Sequence, residues 1–199
     1  AFGLLSRKQS TTVVVGVVGK STTAAILASI LEQAGRLPSF CVGVGDIPSL
    51  GAPAKWSKNG TIFVVEGDEY VSDPTWDLTP KFLYLQPQNL ICTSLEFDHP
   101  DVYGSIADTR AVFSALFALL PADGIAVVNG DDAKLVELAQ SSGKKIITLG
   151  ENESNDVRLL GLRVENGIGR VRVVSSSEET TIVCSVPGFH NLRNAAYAS

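Results

Sequence analysis

The stretch from residue 12 to residue 35 constrains the fold more than any other part of the chain. It reads TVVVGVVGKSTTAAILASILEQAG, which is a β-branched run, a Gly-Lys-Ser-Thr turn and a helix-forming segment that Gly35 ends. We interpret the valines, up to Val17 and Val18, as a strand buried on both faces, because such strands are rich in β-branched residues. The inner face of the helix is predicted at its large aliphatic residues, Ile26, Leu27, Ile30 and Leu31.

The turn has the composition of a phosphate-binding loop, formed by Gly19, Lys20, Ser21 and Thr22. Backbone N–H groups at a helix start, an ammonium and two hydroxyls are the groups that a nucleotide triphosphate needs. Val17 and Val18 stand where such loops usually carry small or polar residues. Two alternatives therefore stay open. Residues 16–19 finish the strand and the true turn consists of residues that are missing between Gly19 and Lys20, or the Gly-Lys-Ser sequence is incidental.

Composition limits the kind of partner. The chain has 199 residues, of which 45% are hydrophobic and 19% charged, as in globular proteins. A net charge of −5 and a pI near 5.0, without a block of Lys and Arg, argue against nucleic-acid and membrane partners and favour a small molecule. No apolar run is long enough to span a membrane. Cys41, Cys92 and Cys184 lack metal-site spacing, so we expect a reducing, cytoplasmic location.

The rest of the chain alternates between strand and helix patterns. Further strands are predicted at residues 61–65, 89–95, 124–129 and 145–149, with helices at residues 106–120 and 132–139. This alternation predicts an α/β fold with a doubly wound, mostly parallel sheet of the P-loop type. Three strand patterns separated by turns follow, and they predict a small appended antiparallel sheet at residues 155–186.

Polar clusters follow two of the predicted strands. Glu66-Gly67-Asp68-Glu69-Tyr70 comes after residues 61–65, and Glu96-Phe97-Asp98-His99 comes after residues 89–95. A parallel sheet gathers such strand ends at one edge, beside the phosphate loop. Ser21 and Glu66 could then bind Mg²⁺, Lys20 could offset phosphate charge, and His99 could serve a second divalent ion. The simpler alternative for both clusters is a solvated turn.

Two other polar groups have a functional and a structural interpretation. Asp131 and Asp132 could contact a ribose, but we favour a helix N-cap. His190, Asn191 and Asn194 flank the start of the last helix, where they could contact an adenine edge. Asn191 alone is equally well explained as an N-cap.

Taken together, GKSTT, EGDEY, LEFDHPDVY and PGFHNLRNAAYA resemble, in order and spacing, the central ATP-binding domain of the Mur ligase family. Members of that family phosphorylate a substrate carboxylate with ATP, and an amine then displaces the phosphate. The resemblance implies ATP and Mg²⁺ as cofactors. It implies that Lys20 contacts phosphate and that Ser21, Glu66 and His99 contact Mg²⁺, with Asp98 next to these metal ligands but not bound to the metal. It also implies that adenine is contacted by His190, Asn191 or Asn194.

The resemblance also implies a domain organisation and a substrate class. Residues 1–10 would be a linker from an N-terminal domain, residues 11–199 the central domain, and a C-terminal domain would be absent. The partners would be UDP-N-acetylmuramate and a peptide or amino acid. EGDEY and LEFDHPDVY look more like the branch that adds L-alanyl-γ-D-glutamyl-meso-diaminopimelate than the branch that adds L-alanine. A P-loop domain without ligase activity is the remaining alternative.

Overall fold

The computed structural model describes residues 2–96 and 103–199. Within them the strands are β1 Ser10–Val15, β2 Ser39–Cys41, β3 Ala54–Lys55, β4 Ile62–Glu66, β5 Val71–Asp73, β6 Asp77–Pro80, β7 Asn89–Cys92, β8 Ile125–Asn129, β9 Lys145–Gly150, β10 Val157–Glu165, β11 Ile168–Val174 and β12 Glu179–Cys184. The helices are α1 Phe2–Leu5, α2 Lys20–Gln33, α3 Ile106–Ala118, α4 Ala133–Ser141 and α5 Phe189–Tyr197, with a 3₁₀ helix at Lys81–Tyr84.

A single ten-stranded sheet organises the described residues, in the order β12-β11-β10-β9-β8-β7-β1-β4-β2-β3. The strand that precedes the phosphate loop, β1, lies at the centre and pairs in parallel with β4 and β7. Successive β1 residues face opposite sides. Val13 and Val15 pack in the core that includes α3 and α4, whereas Val14 packs with α2 and α5. Helices therefore cover both faces, which confirms the doubly wound, mostly parallel fold.

The prediction that the first strand continues through the two later valines is wrong. The strand β1 ends at Val15, and Val17 and Val18 belong to the loop before α2. The side chain of Val18 is 59% exposed, so it is not part of the buried core. The strand stops at Gly16, whose φ of 127° is incompatible with a regular strand.

The buried face of α2 also differs from the prediction. Its fully covered residues are small, namely Thr23, Ala24 and Ala28, while Ile30 is 40% exposed. Small side chains let α2 approach both the sheet and α5 closely, and the larger Ile26, Leu27 and Leu31 pack only at the margin. The stop at Gly35 is confirmed, since its φ is 69° and Arg36 N donates to Leu31 O.

The antiparallel strands join the sheet differently from the expectation. They do not form a second sheet, because β10 pairs in parallel with β9 and then carries β11 and β12 as antiparallel neighbours. The separate small antiparallel sheet is β5–β6, a hairpin that leads into the 3₁₀ helix. The strands β10, β11 and β12 thus extend one edge of the main sheet. The carboxyl ends of β1, β4 and β7 stay together in its middle.

Candidate functional site

The first two predicted magnesium ligands meet at the carboxyl edge of the sheet. Register pairs Val14 of β1 with Glu66 of β4, so the last residue of β4 lies beside the loop that follows β1. Ser21 Oγ donates a hydrogen bond of 2.9 Å to Glu66 Oε1, and Gly43 N donates one of 2.7 Å to Glu66 Oε2. A hydroxyl and a carboxylate fixed side by side are ligands that Mg²⁺ accepts. The donor set therefore fits the metal.

Two glycines shape the phosphate loop between β1 and α2. Gly16 has φ 127°, and a Cβ there would lie 2.3 Å from Thr93 Oγ1. Gly19 has φ 87°, and a Cβ there would lie 2.4 Å from Asn194 Oδ1. Both the left-handed backbone and the close neighbours exclude a side chain at these positions. The turn thus lies at residues 16–19 themselves, between the end of β1 at Val15 and the start of α2 at Lys20.

Main-chain contacts fix the loop at Val18. Val18 N donates to Ser94 Oγ at 3.1 Å, and Thr93 Oγ1 donates to Val18 O at 2.5 Å. These hydroxyls directly follow β7, which lies next to β1 in the sheet. Sequence reasoning missed Thr93 and Ser94, because it placed both inside the strand predicted at residues 89–95. Because the loop is held through its backbone, it tolerates apolar side chains at Val17 and Val18.

The N-terminus of α2 has the features of an anion site. Gly19 is the N-cap residue, and no side chain caps this helix end. Lys20 is the first helical residue, and its Nζ lies 2.9 Å from Glu69 Oε1. The side chains of this ion pair are 18% and 6% exposed. Helix N–H groups and a nearby ammonium favour a phosphate group at this position.

Two cavities border this helix start. One, of about 650 Å³, has Ser21 and Thr22 in its wall together with Ile47, Cys184 and Ala195. The other, of about 540 Å³, has Lys20, Cys41, Glu66, Tyr70 and Phe82 in its wall. Burial and the charge of Glu66 raise the pKa of the Cys41 thiol, so this thiol stays protonated. The two cavities are thus lined by consecutive residues at the start of α2, Lys20 in one and Ser21 in the other.

Of the three residues predicted to contact adenine, Asn194 lies beside the phosphate loop. Asn194 is buried on α5 with its amide against Gly19. Asn191 Nδ2 instead donates to Pro187 O at 2.7 Å, and His190 is exposed. The residues of α5 and its end that line the larger cavity are Ala195 and Ser199. Adenine contacts by His190, Asn191 and Asn194 therefore stay predictions.

The two aspartates after β8 have structural partners. Asp132 Oδ1 accepts from Lys134 N and Leu135 N, both at 3.1 Å, and so caps α4. Asp131 accepts from the backbone N–H groups of Glu151 and Asn152 and from Asn155 Nδ2. Although partial burial acts against ionisation, these hydrogen bonds hold the pKa of Asp131 below its usual value. The capping interpretation is confirmed for Asp132.

His99 and Asp98 lie outside the described residues, so the proposed second metal position stays a prediction. The first described residue after them is Tyr103, which is buried and whose Oη donates to Glu69 O at 2.6 Å. Burial raises the pKa of Tyr103 to about 12. Within residues 2–96 and 103–199, no three His, Cys, Asp or Glu side chains cluster as a metal site would require.

The family model of the Mur ligase middle domain matches residues 14–199. The chain belongs to the Mur ligase family. A UDP-N-acetylmuramate–L-alanine ligase of Renibacterium salmoninarum is 36% identical over 188 residues, which is 93% of this chain and 38% of that protein. The chain thus spans well under half the length of the curated relatives that it matches.

Solved Mur ligases share the fold of the chain. The UDP-N-acetylmuramate:L-alanyl-γ-D-glutamyl-meso-diaminopimelate ligase of Neisseria meningitides has a TM-score of 0.83 and 25% identity, over 98% of this chain and 62% of that one. The MurF ligase of Thermotoga maritima in complex with ADP has a TM-score of 0.75 and 18% identity, over 99% and 47%. No helix in the described part of the chain is long and apolar enough to cross a membrane.

Proposed function

We propose that this chain is the nucleotide-binding centre of an ATP-dependent amide ligase that activates the carboxylate of UDP-N-acetylmuramate. One observation carries the proposal: Ser21 and Glu66 are hydrogen-bonded to each other beside Lys20, at a helix start that no side chain caps. Family membership supports the same conclusion, since the matched relatives are named as ligases of this substrate.

The nucleotide would bind with its phosphates at the start of α2. The N–H groups of the first helical turn and the Lys20 ammonium would hold the phosphate oxygens, and the larger cavity beside Thr22 would take the nucleoside. Ser21 and Glu66 would hold Mg²⁺, which supplies positive charge to offset the triphosphate. Gly43 N orients the Glu66 carboxylate through its second oxygen, so only small movements are needed to form this site.

The smaller cavity would receive the acceptor carboxylate on the other side of Lys20 and Glu66. A carboxylate oxygen attacks the γ-phosphorus, the bond from that phosphorus to the bridging oxygen breaks, and ADP leaves. The amine nitrogen then attacks the acyl carbon of the acyl phosphate, loses a proton, and inorganic phosphate leaves. In this proposal His99 stabilises the charge that develops during the first transfer.

The amine has two candidates, each with its own support. EGDEY and LEFDHPDVY, together with the TM-score of 0.83, favour the tripeptide L-alanyl-γ-D-glutamyl-meso-diaminopimelate, which we propose. The identities of 36% and 33% to L-alanine ligases favour L-alanine as the second candidate. Either way the enzyme would act in making or recycling peptidoglycan precursors.

The proposal includes the domain organisation predicted above. Residues 11–199 would form the central domain of a longer cytoplasmic ligase, preceded by a domain for the UDP-sugar and followed by one for the amine. A relative of which the chain covers only 38% is consistent with such flanking domains. In that arrangement the isolated central domain would have weak activity or none.

The test is a ligation assay on the full-length protein with Mg²⁺-ATP, UDP-N-acetylmuramate and either the tripeptide or L-alanine. We expect one amide and one phosphate formed per ATP, and loss of both in Glu66→Gln. Glu137→Gln is the matched control, because it removes a carboxylate from an exposed ion pair with Arg110 on the surface of α4. ATP hydrolysis without an amide product would instead support a nucleotide switch or regulatory ATPase.

A further inference from the structure

The acidic loop after β4 contains a residue whose role nothing above has assigned. We propose that Glu69 is a positioning residue that holds the Lys20 ammonium over the place of phosphate transfer. This inference rests on the proposed ligase function for its kinetic consequence. It rests on the ion pair and on the rigidity of the loop for its structural basis.

The ion pair is unlike the other salt bridges of the described residues. Glu69 Oε1 lies 2.9 Å from Lys20 Nζ, and the side chains are only 6% and 18% exposed. The neighbouring pair Lys81–Asp68 is 50% and 43% exposed. An exposed pair contributes little, whereas a pair sheltered from water keeps most of its attraction and fixes the geometry of both partners. Of the two pairs on this loop, only the one with Lys20 is placed to act on the nucleotide.

The loop that carries Glu69 is fixed at successive residues. Gly67 N donates to Val14 O at 2.8 Å, which continues the contact between β4 and β1. Asp68 O accepts from Phe82 N at 3.1 Å, and Tyr70 O accepts from Lys81 N at 2.9 Å. A Cβ on Gly67 would lie 2.5 Å from Val15 Cγ1, so the loop lies directly on β1. The Glu69 carboxylate is therefore presented from a rigid support.

The carbonyl of Glu69 itself is held by Tyr103. The Tyr103 Oη–Glu69 O hydrogen bond of 2.6 Å is buried, and Tyr103 directly follows the segment that contains His99. This contact ties Tyr103, three residues before α3, to the acidic loop after β4. Two successive contacts, from Tyr103 to the Glu69 backbone and from the Glu69 carboxylate to Lys20, thus reach the phosphate loop.

The pairing has opposite effects on binding and on rate. A carboxylate next to Lys20 offsets part of the positive charge that would attract ATP, so its removal should not weaken nucleotide binding. The same carboxylate restrains a long, flexible side chain, and a fixed donor stabilises developing charge better than one that must be ordered during the reaction. Loss of Glu69 should therefore lower the rate of phosphate transfer while it leaves or improves ATP affinity.

The test uses Glu69→Gln in the full-length protein, with Glu137→Gln as the matched control. The control also removes one carboxylate from an ion pair, but its partner is the exposed Arg110, away from the two cavities. For Glu69→Gln we expect single-turnover phosphate transfer to fall by about tenfold or more, with an ATP dissociation constant equal to or below that of the wild type. Glu137→Gln should leave both values within about twofold, as expected for an exposed ion pair.

Tyr103→Phe is a second variant, because it keeps both charges and removes only the hydroxyl that holds the Glu69 carbonyl. We expect a smaller loss of rate in the same direction, with unchanged ATP affinity. Thermal unfolding of each variant identifies any that do not fold. A merely structural role would lower the unfolding temperature and leave the rate per folded molecule unchanged, which would overturn the proposal.

Weaker ATP binding in Glu69→Gln would also overturn the proposal, since Glu69 would then support binding. Failure of the proposed function would look different. The wild type would make no amide, whereas calorimetric titration of ATP would still show whether Glu69 opposes binding through Lys20. A Glu69→Gln variant with wild-type rate and affinity would show that the ion pair has no influence on the site.

Discussion

Two helices that follow neighbouring parts of the same sheet begin in opposite ways. Both α2, after β1, and α4, after β8, start at the carboxyl edge. In α4 the Asp132 carboxylate accepts from the N–H groups of Lys134 and Leu135 and neutralises the positive end of the helix. In α2 the N-cap is Gly19, and no side chain takes that role. Of these two helix starts, only that of α2 has first-turn N–H groups that no side chain caps.

Side-chain charge separates α2 from α3 but not from α4, since neither α2 nor α4 has an acidic residue in its first turn. The first turn of α2 carries no acidic residue, and Lys20 places a cation beside its N–H groups. A Lys at a helix N-terminus is unfavourable for the helix on its own, because its charge has the same sign as the helix dipole. In α3 Ser105 caps the helix and Asp108 adds an acid to the first turn, as stability alone would favour. Helix stability alone therefore does not favour the combination of a lysine and a missing side-chain cap at α2.

The largest expected effect comes from removing that cation. Lys20→Met in the full-length protein should lower phosphate transfer by about a hundredfold or more, because a charged phosphate contact is lost in the transition state. It should also lower the unfolding temperature, since Glu69 loses its sheltered cation partner. Adding Glu69→Gln should restore much of the stability but none of the activity. Wild-type turnover in Lys20→Met would contradict the proposal that the start of α2, unlike the start of α4, binds the phosphates.

A smaller effect is expected from closing the loop sterically. Gly19→Ala places a Cβ 2.4 Å from Asn194 Oδ1 at φ 87°, whereas Gly143→Ala, at φ 66°, meets nothing within 4 Å. We expect Gly143→Ala to cost about 1 kcal/mol in the free energy of unfolding, from backbone strain alone. Gly19→Ala should cost more and weaken ATP binding by about tenfold, or about 1.4 kcal/mol. Equal unfolding energies for the two variants, measured in urea, would argue against the contact with Asn194.

The smallest effect on function is expected at the capped helix. Asp132→Ala should lower the free energy of unfolding by about 1 to 2 kcal/mol through loss of the cap. Its ATP affinity and ligation rate should match the wild type, because the α4 start takes no ligand in this account. Calorimetric titration and urea unfolding measure the two quantities. A loss of ATP affinity would indicate that Asp132 contacts the nucleotide, contrary to its role as a cap.

The order of elements could be predicted from the sequence because it depends on local patterns. The strand before Glu66 and the three strands after residue 156 are bounded by clear changes of period, and the structure has them at nearly the predicted residues. Side-chain types at strand ends likewise predicted that Ser21 and Glu66 would meet, since a parallel sheet gathers its carboxyl ends.

The remaining features depend on contacts between distant residues. Nothing local shows that Thr93 and Ser94 hold the backbone of Val18, and this contact is what makes an apolar phosphate loop possible. The burial of Ala24 and Ala28 in place of Ile30 depends on how closely α5 approaches α2. The ion pair of Lys20 with Glu69 joins the start of α2 to the loop after β4, and the sequence alone does not show that these two side chains meet.

Hydrogen exchange followed by mass spectrometry tests the central contrast most directly. Exchange of peptides covering residues 16–24 and 131–137 would be compared in the full-length protein with and without Mg²⁺-ATP. The account predicts slower exchange at the start of α2 when the nucleotide binds, and unchanged exchange at the start of α4. Protection at α4 alone, or no protection at α2 at saturating nucleotide, would contradict it.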